Sequence, residues 1–148
     1  MSKNLLANNK LNLAGVDHIQ AGIFDINGIM RGKRLPTSSY SKIVNNGIQL
    51  PLSVQNIDIY GSDIENSKFV FATGDNDGTA TCQGARQVFL RHLSKPVLLM
   101  PLGLTTGNGE LFEGCPRSFL KNVINRAHEK NFVFKFGVEL EFYLFSEN

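Results

Sequence analysis

Residues 16–36 read VDHIQAGIFDINGIMRGKRLP. From Val16 to Phe24 apolar and polar residues alternate loosely, as in a half-buried strand. Asp25-Ile26-Asn27-Gly28 is a turn, because Asn-Gly tolerates the positive φ that tight hairpins need. Ile29 to Leu35 returns as a second strand, and Pro36 ends it. Thr37 or Ser38 then caps a helix carrying Tyr40, Ile43 and Val44 on one face, and Gly47 stops it. This order of strand, hairpin, strand and helix predicts an α+β fold.

The reading continues outward in both directions. Residues 1–11 form a polar, Asn-rich arm. Leu50-Pro51-Leu52-Ser53 is no central strand, since Pro51 lacks a donor, whereas Ile57 to Gly61 alternates like one. The turn cluster Gly74-Asp75-Asn76-Asp77-Gly78 predicts a boundary between a domain over 12–74 and a second over 75–148. In the second, Pro96 to Leu104 suits a buried strand, residues 105–109 turn it, and Glu110 to Phe112 pairs back. Pro116 opens a helix at its first turn, with Phe119, Leu120, Val123, Ile124 and Ala127 at helical spacing. Phe132 to Phe145 reads as a long aromatic strand.

Composition bounds the function classes. A chain of 148 residues excludes most complete enzymes that need several substrate-binding lobes. With 42% hydrophobic and 19% charged residues, it is globular in composition. A formal net charge of +2 gives no field that argues for nucleic acid or an anionic membrane as partner. Cys82 and Cys115 form no CxxC pair, which points to two free thiols in a reducing compartment. The N-terminus has no secretory apolar core, and no stretch approaches the roughly 20 apolar residues of a membrane span. The default expectation is a cytoplasmic protein.

The sharpest chemical feature is Glu139-Leu140-Glu141. Side chains alternate across a strand, so both carboxylates share one face while Val138, Leu140, Phe142 and Leu144 take the other. Two adjacent like charges repel, and a hard divalent cation such as Mg²⁺ or Mn²⁺ resolves the conflict. The same spacing also describes two ordinary glutamates on a wet strand face. Other patterns fail on inspection. Gly28-Ile29-Met30-Arg31-Gly32-Lys33-Arg34 has three residues between its glycines where a phosphate loop needs four, and Arg34 stands where the hydroxyl belongs. Asp75-Asn76-Asp77-Gly78 begins like a calcium loop, but Ala80 and Arg86 occupy the required Gly and Glu positions. His18, His92 and His128 are scattered.

Taken together and in order, these segments resemble the glutamine synthetase-like ligases. Val16 to Pro36 looks like their N-terminal β-grasp domain, and Cys115-Pro116-Arg117-Ser118-Phe119-Leu120 is similar to the start of a helix in their catalytic domain. Gly137-Val138-Glu139-Leu140-Glu141-Phe142-Tyr143-Leu144 is similar to their first metal-binding strand. Gly47 to Val54 and Asp58-Ile59-Tyr60-Gly61 fit the γ-glutamyl-amine ligase branch, of which γ-glutamylputrescine synthetase is the type. The resemblance implies a β-grasp domain followed by the opening strands and helix of a catalytic domain.

It also implies a ligase that phosphorylates the γ-carboxylate of glutamate with ATP and lets ammonia or an organic amine attack the acyl phosphate. Two Mg²⁺ or Mn²⁺ ions serve that chemistry. Glu139 matches a ligand of the ion on the nucleotide phosphates, and Glu141 a ligand of the ion nearer the substrate. The family forms homo-oligomeric rings in which one subunit's β-grasp domain closes its neighbour's site. Pro51, with Ser53 beside it, stands in the loop where the ammonia-using branch carries an ammonium-binding Asp, which favours a larger amine. Family members run for several hundred residues, so the chain reads as an N-terminal fragment, inactive by itself. The alternatives are a non-catalytic assembly protein that retains the β-grasp surface, or a free-standing binding module.

Overall fold

The computed structural model describes residues 11–71 and 74–146. The expected N-terminal arm lies outside them apart from Leu11. The hairpin forms as its sequence dictates. β1 (His18–Phe24) pairs antiparallel with β2 (Met30–Leu35), with Gly22 opposite Gly32. The turn closes through Gly28 N–H donating to Asp25 O at 3.0 Å, and Gly28 takes φ +75°, a conformation that costs glycine little. A 3₁₀ turn, Thr37–Ser39, leads into α1 (Tyr40–Asn46), which buries Ile43. Gly47 ends α1 at φ +71°, and a Cβ there would run into the Ala80 carbonyl. Glycine is required on both counts.

Two sheets follow from the remaining strands. β3 (Ile48–Pro51), β4 (Asp77–Thr81) and β7 (Gly103–Thr105) form one, in that order. β5 (Val88–Leu90) and β6 (Val97–Pro101) join the hairpin in the other, ordered β2-β1-β6-β5. In it β1 runs parallel to β6 and antiparallel to β2. β1 lies inside its sheet, and Ile19, Ala21 and Ile23 are fully buried. They pack in one core with Ile43, Leu50, Ala80, Leu98, Met100, Leu102 and Leu104, drawn from both sheets and α1. The architecture is α+β, and the mixed four-stranded order is compatible with a β-grasp arrangement.

Several sequence expectations change here. The boundary at 74/75 does not divide the packing: β4 to β7 complete sheets begun by β1 and β3, and one core spans both sides. The turn cluster feeds directly into β4, so it is a connection within the unit. The single strand expected over Pro96 to Leu104 is two, because at Leu102 the chain crosses from one sheet to the other. There Leu102 N–H donates to Gly22 O at 2.7 Å and its side chain is fully buried. Ile57 to Gly61 is a turn. The Asp58 carboxylate accepts from the Tyr60 and Ser62 amides at 2.8 and 2.9 Å, and this local capture outweighs the alternating pattern. Pro51 does sit in a strand, at the end of β3 on the sheet edge, where its missing donor costs little.

α2 (Lys68–Phe71) is a single turn, and α3 (Pro116–Glu129) is the long helix, with Pro116 in its first turn as expected. Ser118 anchors α3 to β7: its hydroxyl donates to Leu104 O at 2.8 Å. Ser118 and Ala127 are buried, whereas Phe119, Leu120 and Val123 are exposed. The apolar face of α3 is thus only partly covered. Asn131, at φ +59°, turns the chain out of α3, and Phe132 N–H donates back to Ala127 O at 2.9 Å. Among the described residues, no helix is long and apolar enough to cross a membrane.

Candidate functional site

The loop that follows β3 is held from several sides. Pro51 lies opposite Asp77 in the β3–β4 register. The 3₁₀ turn Leu52–Gln55 buries Ser53 and Gln55. Leu52 N–H donates to Asn76 O at 2.9 Å, and Asn56 N–H donates to Ser53 O at 2.7 Å. Gln55 Nε2 reaches Phe24 O at 3.4 Å, which ties the loop to the end of β1. Pro51 brings neither a carboxylate nor a backbone N–H to this place.

A second tie runs through two residues that the sequence pattern did not single out. The Asp25 side chain is 1% exposed, and its Oδ2 accepts from Arg31 Nε at 2.9 Å. Its Oδ1 accepts from the backbone amides of Asn27 and Ile29, each at 2.9 Å. Arg31 also donates from Nη2 to Asp58 O at 3.1 Å. The ion pair therefore clamps the hairpin turn and fastens it to the Asp58 turn beyond the Pro51–Ser53 loop. Burial alone would raise the Asp25 carboxyl, but the Arg31 hydrogen bond and the two amides more than offset it and hold it below its ordinary value. The legible signal was the Asp-x-Asn-Gly turn, whose first residue commonly accepts from amides two to four positions on. Arg31, in a segment weighed as a phosphate loop, gave no hint of a buried partner.

Glu139 and Glu141 lie elsewhere, on residues 133–146. This segment forms no strand, which corrects the expected Phe132–Phe145 strand. Alternation says which face a side chain would take, but a strand exists only with a ladder partner, and the described residues offer none. Both glutamates are exposed. So are the residues expected on the core face, including Leu140 at 82% and Leu144 at 89%. The ring centroids of Phe134 and Phe136 are 5.9 Å apart, and those of Tyr143 and Phe145 6.3 Å. Rings two positions apart thus approach each other.

Two carboxylates suit a hard divalent ion in kind but not in number. Mg²⁺ takes about six oxygens, and two side chains leave most of the shell to water. Among the described residues, no group of three or more His, Cys, Asp or Glu could hold a metal ion. No hydrogen bond or ion pair joins Glu139 or Glu141 to the Pro51–Ser53 loop among these residues. The described residues therefore do not make a complete metal site.

The exposed segment has a consequence in solution. Apolar side chains from Phe132 to Phe145, together with Phe119 and Leu120 on α3, form more uncovered apolar surface than a monomer normally tolerates. The purified chain is expected to bind 8-anilinonaphthalene-1-sulfonate or to self-associate, and removal of residues 133–148 to suppress both. Sedimentation as a single monomeric species with no dye signal would contradict this exposure. The two cysteines are free: Cys115 is buried, and Cys82 is half-buried, with burial pushing its thiol up.

Comparison with known proteins follows the same lines. The family described as "Glutamine synthetase, catalytic domain" matches residues 113–148, which include α3 and both glutamates. A type-1 glutamine synthetase 2 of Dictyostelium discoideum is 32% identical over 95% of this chain. The γ-glutamylputrescine synthetase PuuA of Escherichia coli strain K12 is 30% identical over 86% of it. The chain spans 27% of the length of each of these relatives. Among solved structures, a novel glutamine synthase homolog aligns with 78% of this chain and 27% of its own, at TM-score 0.67 and 18% identity. A GmaS/ADP complex aligns with 78% of this chain and 24% of its own, at TM-score 0.59 and 21% identity. The motif resemblance is borne out as a likeness: over nearly its whole length this chain is similar to glutamine synthetase-like ligases, through 27% of the length of the two relatives.

Proposed function

We propose that this chain supplies the N-terminal part of an ATP-dependent carboxylate–amine ligase that makes a γ-glutamyl amide through an acyl phosphate. The observation that carries this reading is Glu139-Leu140-Glu141 inside the stretch matched by the catalytic-domain family. In this reading both glutamates are metal ligands, Glu139 for the ion on the nucleotide phosphates and Glu141 for the ion nearer the substrate. Such ions neutralise charge that develops on the transferred phosphoryl group. The remaining ligands, the nucleotide pocket and the glutamate clamp would come from residues that this chain does not carry. A cytoplasmic setting and a homo-oligomeric ring, in which the β-grasp domain of one subunit closes its neighbour's site, complete the proposal.

Pro51 supports an organic amine over ammonia as acceptor, since it leaves no carboxylate at that loop position to hold ammonium. The test is ADP release by a longer chain that carries further catalytic-domain sequence after Asn148, assayed with putrescine, methylamine and ammonium. Organic amines are expected to give the higher kcat/KM. Preference for ammonium would overturn the acceptor assignment, and amine-independent behaviour throughout would overturn the ligase reading.

For the 148-residue chain alone the expected metal affinity is low. Two exposed carboxylates should give Mn²⁺ binding in the millimolar range, about 4 kcal/mol at a Kd of about 1 mM. Titration calorimetry of the wild type and of a Glu139→Gln, Glu141→Gln double variant checks this. Micromolar binding that survives both substitutions would place the metal elsewhere.

A further inference from the structure

A cavity of about 320 Å³ opens between the edge strand β2, helix α1 and the start of β3. Its apolar lining comes from Leu35, Ile43 and Ile48, and its polar lining includes Lys33, Lys42 and Asn46. No carboxylate lines it. The ion pairs among the described residues join Asp17 to His18 and Lys95, and Asp25 to Arg31. Lys33 and Lys42 take part in none of them. The pocket thus combines two ammonium groups without an acidic partner and an apolar patch contributed by strand and helix.

We propose that this pocket is a binding site for a small amphipathic anion, with a carboxylate or phosphate head at Lys33 and Lys42 and an aliphatic or aromatic body against Leu35, Ile43 and Ile48. The volume accommodates a fragment-sized ligand and suits no polymer. Each component has a physical cause. Two cations on one rim lower the potential energy of an anion between them, more so beside a low-dielectric wall. Burying the apolar body adds a gain in proportion to the area covered. A bare inorganic anion gains only the first, and an uncharged analogue only the second. The site is built entirely from residues before Pro51, and it stands whether or not the ligase reading does.

The experiment is an NMR titration of the whole chain, following the backbone amides of residues 33–49. The probes are 4-methylpentanoate and phenyl phosphate, with inorganic phosphate and 4-methylpentanamide as head-only and body-only controls. The two amphipathic anions are expected to shift amides around Lys33, Lys42 and Asn46 with millimolar Kd, and either control to bind at least severalfold more weakly. Which of the two binds tighter decides between carboxylate and phosphate as the natural head. The Lys33→Gln, Lys42→Gln double variant removes two exposed charges and should weaken binding about tenfold while leaving the thermal midpoint unchanged. Raising the salt concentration should weaken the wild type more than the variant. Shifts that map to another surface, an affinity unaltered by the double substitution, or equal binding of 4-methylpentanamide would each overturn the proposal.

Discussion

Arg31→Met is expected to lower the unfolding free energy by about 3–5 kcal/mol, because it leaves the buried Asp25 carboxylate at the hairpin turn without its counter-charge. Asp25 is 1% exposed on its side chain and loses its 2.9 Å partner. Two backbone amides remain on Oδ1, so the cost should fall toward the lower end of that range. The same substitution frees the Asp58 turn, which Arg31 holds through a 3.1 Å bond to its carbonyl. Urea denaturation measures the loss. Asp25→Asn combined with Arg31→Met should recover part of it, since a neutral side chain no longer needs the guanidinium. A loss below about 1 kcal/mol, the range of an exposed pair, would show that the pair is wetter than the structure has it.

The pH dependence of this clamp has a definite sign. The folded-state carboxyl of Asp25 lies below its ordinary 3.8. A group depressed in this way stabilises the fold fully above its unfolded value and loses that contribution as pH falls through the folded one. The urea midpoint should therefore hold through neutral pH and decline from about pH 4 downward. In Arg31→Met the carboxyl should titrate higher than in the wild type, and the share of acid destabilisation that depends on Asp25 should shrink or reverse.

What the sequence made legible and what it hid divide along physical lines. The hairpin, α1 and its Gly47 stop were legible because their causes are local: alternation, an Asn-Gly turn, one apolar helical face and a glycine at positive φ. The start of α3 at Pro116 was legible for the same reason. β4 and β5 were not foreseen, since short strands such as Asp77–Thr81 owe their existence to a partner far away in sequence. The break at Leu102 was invisible because a chain that changes sheets without a turn leaves an unbroken apolar run. Phe132 to Phe145 shows the converse: strong alternation with no ladder to join. The buried Asp25–Arg31 pair was hidden because charge spacing along a hairpin does not reveal burial. Glu139 and Glu141 stood out by spacing, and their assignment to metal rests on family likeness, since the described residues bring no third donor to them.

The 148-residue chain, supplied with glutamate, ATP, Mg²⁺ and any amine, is expected to release no ADP above background. Acyl phosphate formation followed by aminolysis needs the nucleotide, the carboxylate and the amine held at near-attack distance at once. Such positioning accounts for roughly 7–11 kcal/mol of a barrier, which no single wall of a site can supply. Here Glu139 and Glu141 are exposed on an unpaired segment, and the Pro51–Ser53 loop is tied to the hairpin without reaching them. A coupled ADP assay with each amine tests this, run beside a longer chain that carries further catalytic-domain sequence. Turnover by the 148-residue chain, abolished by Glu141→Ala, would show that these residues assemble a working site. Turnover confined to the longer chain and lost on Glu139→Ala or Glu141→Ala would place the two glutamates in the reaction. There a loss of at least about 100-fold is expected, the scale on which removing one group that stabilises transition-state charge slows an enzyme. Mn²⁺ at high concentration should rescue Glu141→Asp, which keeps a shorter carboxylate, more than Glu141→Ala. A purely structural glutamate would show no such metal-dependent difference.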